Sequence, residues 1–286
     1  MEDVWNEIAC FHPLLKPHFL SSPDEEMQLG RINVYAACDS PLLIVAPHGH
    51  PQDDLNTELL AWALVKETRA AAVINNRKYC KPKNSQLGIH EVVIENPREP
   101  NPRIMAVRQA SALKCGITVD LNKWPDARRA APDFFYPLMI LSEFRNAHSE
   151  KLAIFIHGIA DNNAHGLRNP DFVVGAGYEL PFKAEAFVSG DITAREKVID
   201  FFIEELKKLR INRLPVWVEE GLPGYAAAHK IRMPWVFKTC ASQPTEIDAI
   251  QLEIRHKGLR EPENIPRTAR DLAKVFRRTV ELSSAG

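Results

Sequence analysis

Short apolar runs separated by polar, glycine and proline positions set the rhythm of this chain. Leu42–Ala46 and Leu152–Ile156 are unbroken apolar fives and Ala71–Ile74 is an apolar four, which is how strands covered on both faces read. Ile32–Ala37 and Ala249–Arg255 alternate as half-covered strands do, and Ile117–Leu121 and Phe172–Val174 are shorter candidates. Between these, apolar residues recur at helical spacing. Leu55, Leu59 and Ala63 predict a helix from about Asp54 to Arg69, and Val198, Phe201, Phe202, Leu206 and Leu209 predict one over Ala194–Arg210. Further helices are expected over Pro102–Cys115, Pro132–His148 and about Thr268–Leu282. The order strand 42–46, helix, strand 71–74 is a βαβ unit, so the class is α/β with parallel strands in the sheet. Leu42–Ala46 is expected beside Ile32–Ala37, as hairpin partner or sheet neighbour.

The punctuation between elements is informative in places. Pro13, Pro17 and Pro23 break residues 1–30 into a peripheral segment, and residues 214–245 are loop-rich, with Trp217, Tyr225, His229 and Trp235 placed to cover or shape a pocket. There is no internal repeat, low-complexity tract or linker, so residues 1–286 are read as a single domain, a size that can bury a large core.

Composition removes several classes of function. With 36 Lys and Arg against 37 Asp and Glu the chain is near neutral and has no basic run, which argues against nucleic acid as a partner. The five cysteines (Cys10, Cys38, Cys80, Cys115, Cys240) are scattered and never form a CxxC pair, as expected of free thiols in a reducing compartment. Neither a secretory signal nor a membrane span is visible, so a cytoplasmic location without membrane attachment is expected.

The candidate chemistry sits where apolar runs stop. Leu42–Ala46 ends in Pro47-His48-Gly49-His50, followed by Asp53 and Asp54 at the start of a helix. Leu152–Ile156 ends in His157-Gly158, repeating the pattern, and ligands of open α/β sheets gather at the carboxyl ends of the strands. His48, Asp54 and His157 supply two nitrogens and one oxygen, a zinc-compatible set that leaves a fourth position open. The plain alternative is a polar loop in which Asp54 or Asn56 caps the helix. Glu253, an acid within an apolar strand pattern, is the candidate proton carrier; otherwise it is an exposed position on an edge strand. Arg77, and Asn122 with Lys123, follow strands and could hold a substrate carboxylate. His50 and Asp53 are further candidates for the metal or its surroundings.

Several motifs fail on inspection. His90-Glu91 lacks the second histidine of a metalloprotease helix, since position 94 is Ile, and Gly175-Ala176-Gly177 lacks a third glycine at 180, which is Leu. His48-Gly49-His50 is followed by Gln52 and Asp53 where the metallo-β-lactamase pattern has Asp and His. The strand–helix repeats are too few for an eight-fold barrel, and no cysteine sits on a tight strand-to-helix turn.

Taken in order, PHG at 47–49, Asp54-x-x-Thr57-Glu58-Leu59-Leu60-Ala61, VDLNK at 119–123, IHG at 156–158 and IQLEIR at 250–255 resemble the N-formylglutamate amidohydrolase family and the related poly-γ-glutamate hydrolases. The resemblance implies a three-layer α/β/α, zinc-carboxypeptidase-like fold with a mixed, mostly parallel sheet. It implies one zinc per chain on His48, Asp54 and His157, with Glu253 as general acid and base. It also implies Asn122 beside the substrate and Arg77 on its carboxylate. The substrate class would be a small acidic amide or peptide. Three departures stand out. One extra residue separates His48 from the acid, which keeps Asp53 as an alternative ligand. The family's Asn-Arg pair is Asn122-Lys123, and the segment from Arg77 to Asp120 is long. Another divalent ion could take the place of zinc, and a catalytically silent binding relative is the competing class. The oligomeric state is left open.

Overall fold

The computed structural model describes residues 17–28, 30–37, 40–49, 54–76, 133–135, 137–138, 141, 152–159, 170–176, 193–211, 213–219 and 247–283, and the backbone alone of 78–81, 91–93, 117–118, 220–222 and 284. Their strands are β1 (His18–Leu20), β2 (Ile32–Tyr35), β3 (Leu42–Ala46), β4 (Ala71–Asn75), β5 (Lys78–Lys81), β6 (Glu91–Val93), β7 (Ile117–Thr118), β8 (Leu152–Ile159), β9 (Phe172–Gly175), β10 (Arg210–Ile211), β11 (Leu214–Pro215), β12 (Val218–Leu222) and β13 (Asp248–Arg255). The helices are α1 (Thr57–Thr68), α2 (Glu196–Lys207) and α3 (Ile265–Ser284).

Eight strands form one sheet in the order β1-β2-β4-β3-β8-β13-β9-β12. The pairs β4–β3, β3–β8 and β8–β13 are parallel, whereas β2–β4 and β13–β9 are antiparallel. The sheet is therefore mixed and mostly parallel. A small sheet, β6-β5-β7, and the hairpin β10-β11 stand apart from it.

Alternation along the central strands divides the interior in two. Leu42, Ile44 and Ala46 of β3, Leu152, Ile154 and Ile156 of β8, and Ile250, Leu252 and Ile254 of β13 face one side and pack with the buried stripes of all three helices. Leu43, Val45, Ala153, Phe155 and Ala249 face the other, where Phe134, Phe135, Leu138 and Leu141 of a further helical segment cover them. Strands with apolar residues on both faces require helices on both sides. The result is the three-layer α/β/α arrangement. The helices meet this demand by spacing: in α2 the buried residues Val198, Ile199, Phe202, Ile203 and Leu206 fall three and four apart. Among the described residues no helix is long and apolar enough to cross a membrane.

The structure amends several sequence expectations. β3 is not next to β2, because β4 lies between them and pairs antiparallel with β2. β8 does not stop at Ile156; it continues to Ile159 because β13 stays paired with it as far as Arg255. The loop-rich stretch after 214 contains β12, which joins the sheet beside β9. α1 runs from Thr57 to Thr68 with Asn56 as its N-cap, inside the expected span. The helix expected over 102–115 lies outside the described residues.

Candidate functional site

Three side chains from separate parts of the chain meet where β3 and β8 run side by side. β3 ends at Ala46, and the carbonyl of Pro47 accepts a 2.7 Å hydrogen bond from the buried amide of Asn75 at the end of β4. Gly49 then passes against the carbonyl of Asn75 and the side chain of Glu58, with no room for a Cβ. His48 is buried between these two fixed points, at 7% exposure.

Asp54 lies in the turn before α1, its carbonyl accepting the Thr57 N–H at 3.1 Å. Its carboxylate crosses to β8, where Oδ2 accepts the Gly158 N–H at 2.9 Å and lies 3.5 Å from His157 Nδ1. The helix-cap alternative is thereby excluded for both candidates. Asn56 holds the N-cap position in a left-handed backbone (φ 64°) without a side-chain cap bond, and its amide donates instead to the Arg260 carbonyl at 2.9 Å. Burial alone pushes the Asp54 carboxyl up. The hydrogen bond with His157, the electrostatic influence of His157 and His48, and the Gly158 N–H outweigh it and hold the pKa below the ordinary value.

His157 is 2% exposed, and its ring centre is 5.2 Å from that of His48, with the planes at 57°. Its Nε2 is buried with no hydrogen-bond partner among the described residues, a costly arrangement for an imidazole nitrogen. Two imidazoles sharing a tetrahedral zinc place their ring centres about 5 Å apart, and any two donor atoms about 3.4 Å apart. The 5.2 Å between ring centres and the 3.5 Å from His157 Nδ1 to Asp54 Oδ2 are of this size, so the donor types are compatible with an ion on the Nδ1 side of His157. As the side chains stand, no group of three or more His, Cys, Asp or Glu that could hold an ion is closed among the described residues. His157 and Asp54 are in contact, and the His48 ring stands beside them, tilted.

Glu253 lies opposite His157 in the β8–β13 register. Paired residues on adjacent strands, about 4.8 Å apart, rise from the same face, so the two side chains share one face of the sheet. The edge-strand reading of Glu253 fails, because β13 is interior, between β8 and β9. The side chain is part-exposed, and Gln251, two residues back on the same face, donates to its Oε1 at 2.8 Å. Arg77, Asn122 and Lys123, with His50 and Asp53, lie outside the described residues.

Two buried residues that shape the site escape the sequence patterns. Asn75 ties down Pro47, and Arg260, 2% exposed, lies against Gly158. Only the glycine after each histidine hinted at such close approach; nothing in the periodicity marks their partners.

The fold and the site together define a class, an α/β protein with polar and titratable side chains gathered at the carboxyl ends of parallel strands. No family model matches the chain, and no curated protein sequence matches it. Among solved structures, a gene product of Agrobacterium tumefaciens shares the fold at TM-score 0.52 and 12% identity, over 88% of this chain and 95% of that one. The N-formylglutamate amidohydrolase of Ralstonia eutropha aligns at TM-score 0.42 and 15% identity, over 86% of this chain and 95% of that one. A bacteriophage poly-γ-glutamate hydrolase aligns at TM-score 0.42 and 12% identity, over 90% and 91%. The first of these is a likeness of fold, and activity is a property of the site.

Proposed function

We propose that this protein is a metal-dependent hydrolase, with zinc as the first candidate ion, that cleaves an amide bond in a small carboxylate-bearing substrate such as an N-acyl amino acid or γ-glutamyl compound. The observation that carries the reading is the meeting of His48, Asp54 and His157 at metal-compatible spacing, with Glu253 opposite His157. His48, Asp54 and His157 would hold the ion. When bound it would supply Lewis acidity toward a carbonyl and toward water.

The chain's own residues account for the rest. Glu253 takes the proton from the attacking water and returns it to the departing amine nitrogen, and Gln251 holds one carboxylate oxygen in place for this. Gly158 fixes the orientation of Asp54. Arg77 or Lys123 is proposed to bind the substrate carboxylate, with Asn122 beside the substrate.

Metal analysis joined to one substitution tests the reading. Protein purified without chelator is expected to contain about one zinc per chain. Glu253→Gln is expected to keep that metal and lose amide hydrolysis by a factor of about 100 or more on a panel of N-acyl amino acids and γ-glutamyl peptides. A second reading, a silent binding protein, draws on the unclosed ligand set among the described residues. Absence of stoichiometric metal would favour it, and near-normal activity of Glu253→Gln would remove Glu253 from its role.

A further inference from the structure

Arg260 is the last residue of an irregular turn, His256–Arg260, that follows β13. Its side chain is buried at 2% exposure, and each arm of the guanidinium has a destination. Nε donates to the Ile254 carbonyl at 2.8 Å, one residue after Glu253. Nη1 donates to the Leu55 carbonyl, on the turn that bears Asp54, and at 3.1 Å to Thr57 Oγ1 at the start of α1. Nη2 donates to the Ile159 carbonyl at 3.2 Å, two residues past His157. The plane of the group lies against Gly158, where a Cβ would collide with it. Gly158 is the residue whose N–H binds the Asp54 carboxylate. One rigid cation thus touches the three backbone segments from which Asp54, His157 and Glu253 project.

We infer that Arg260 is a positioning residue that sets the mutual spacing of Asp54, His157 and Glu253, and so governs the affinity of the site for its ion. The inference rests on the metal reading above. The planar fork of a guanidinium suits this task, because its donors leave in fixed directions and lock segments relative to one another. An ammonium in the same place offers a single centre that cannot span four acceptors on three segments. The glycine after His157 follows from the same device, since a side chain there would displace the guanidinium.

The experiment measures zinc dissociation constants of the full chain by competition with a chelating dye, alongside melting midpoints, for wild type, Arg260→Lys, Arg260→Met and Thr57→Val. Loss of an outer group that orients ligands weakens metal binding about 10- to 100-fold, and that loss is expected for folded Arg260→Met. Arg260→Lys should recover part of it. Thr57→Val, which removes one acceptor while keeping shape, should weaken binding by a few-fold. A purely structural role would lower the midpoint and leave the affinity unchanged, and that result in a folded Arg260→Met overturns the inference alone. Should Arg260→Met fail to fold, unchanged affinity in Thr57→Val overturns it. A wild-type chain that takes up no zinc removes the metal reading, and the role of Arg260 with it.

Discussion

At the scale of single residues, the site is shaped as much by what is missing as by what reacts. Gly49 and Gly158 each follow a histidine, and each leaves space that another group fills: the Asn75 carbonyl and Glu58 side chain in one case, the Arg260 guanidinium in the other. The two positions differ in how they would respond to a methyl group. At Gly158 the obstacle is a side chain, whereas at Gly49 it includes backbone of β4, which cannot rotate away. Gly49→Ala is therefore expected to cost about 1–3 kcal/mol of stability, the usual penalty for overpacking, and to displace His48. Urea unfolding and a zinc titration check it; an unchanged midpoint together with unchanged zinc affinity would show that the turn has room to spare. Asp54 makes the same point from the opposite side. Read along the chain it is a helix-start acid, and only its partner on β8 reveals that its carboxylate serves another strand.

At the scale of elements, β13 organises its neighbours from both ends. Its carboxyl end presents Glu253 opposite His157. Its first residue, Asp248, accepts the backbone N–H of Arg195 at the start of α2 at 2.8 Å, pairs with the Arg195 guanidinium at 2.6 Å, and accepts the Ser283 hydroxyl near the end of α3 at 2.7 Å. A carboxylate at a helix N-terminus is favourable in itself. Burial pushes this carboxyl up, but the bonds from Arg195 and Ser283 prevail and hold its pKa below the ordinary value. A group depressed in the folded state stabilises it above the unfolded pKa, about 3.9 for Asp, and that support fades as pH falls through the folded value. Asp248→Asn is accordingly expected to lose about 1–2 kcal/mol at pH 7, kept small because Arg195 is 41% exposed. The gap between variant and wild type should begin to narrow below about pH 4. Denaturation midpoints from pH 3 to 7 decide it, and a gap that does not narrow on acidification would mean that Asp248 acts through packing.

At the scale of the whole molecule, the proposed ligands come from the β3 end, the turn before α1 and the interior of β8, so an ion on them would brace the centre of the sheet. An ion that binds only the folded chain stabilises it by mass action, about 2.7 kcal/mol at a hundredfold excess over its dissociation constant. For a chain of this size, chelation is expected to lower the melting midpoint by roughly 4–5 °C, and His157→Ala should abolish the difference. A wild-type midpoint indifferent to chelator and added zinc would contradict the metal reading independently of any activity assay.

Amino-acid order was enough for those features that depend on neighbours along the chain. Apolar fives mark strands covered on both faces and three-four spacing marks helices, because both patterns arise from the geometry of a single element; β3, α1, β4 and β13 are legible for that reason. The His-Gly pairs and the acid before α1 are legible too, since they sit where such elements end. Sheet order, the interior place of β13, the extension of β8 past His157 and the partners of Asp54 and Arg260 were decided only by tertiary structure. Each depends on contacts between residues as many as 205 positions apart, as in Arg260 with Leu55. Periodicity carries no record of such contacts, because a buried charge is defined by what surrounds it and not by what precedes it.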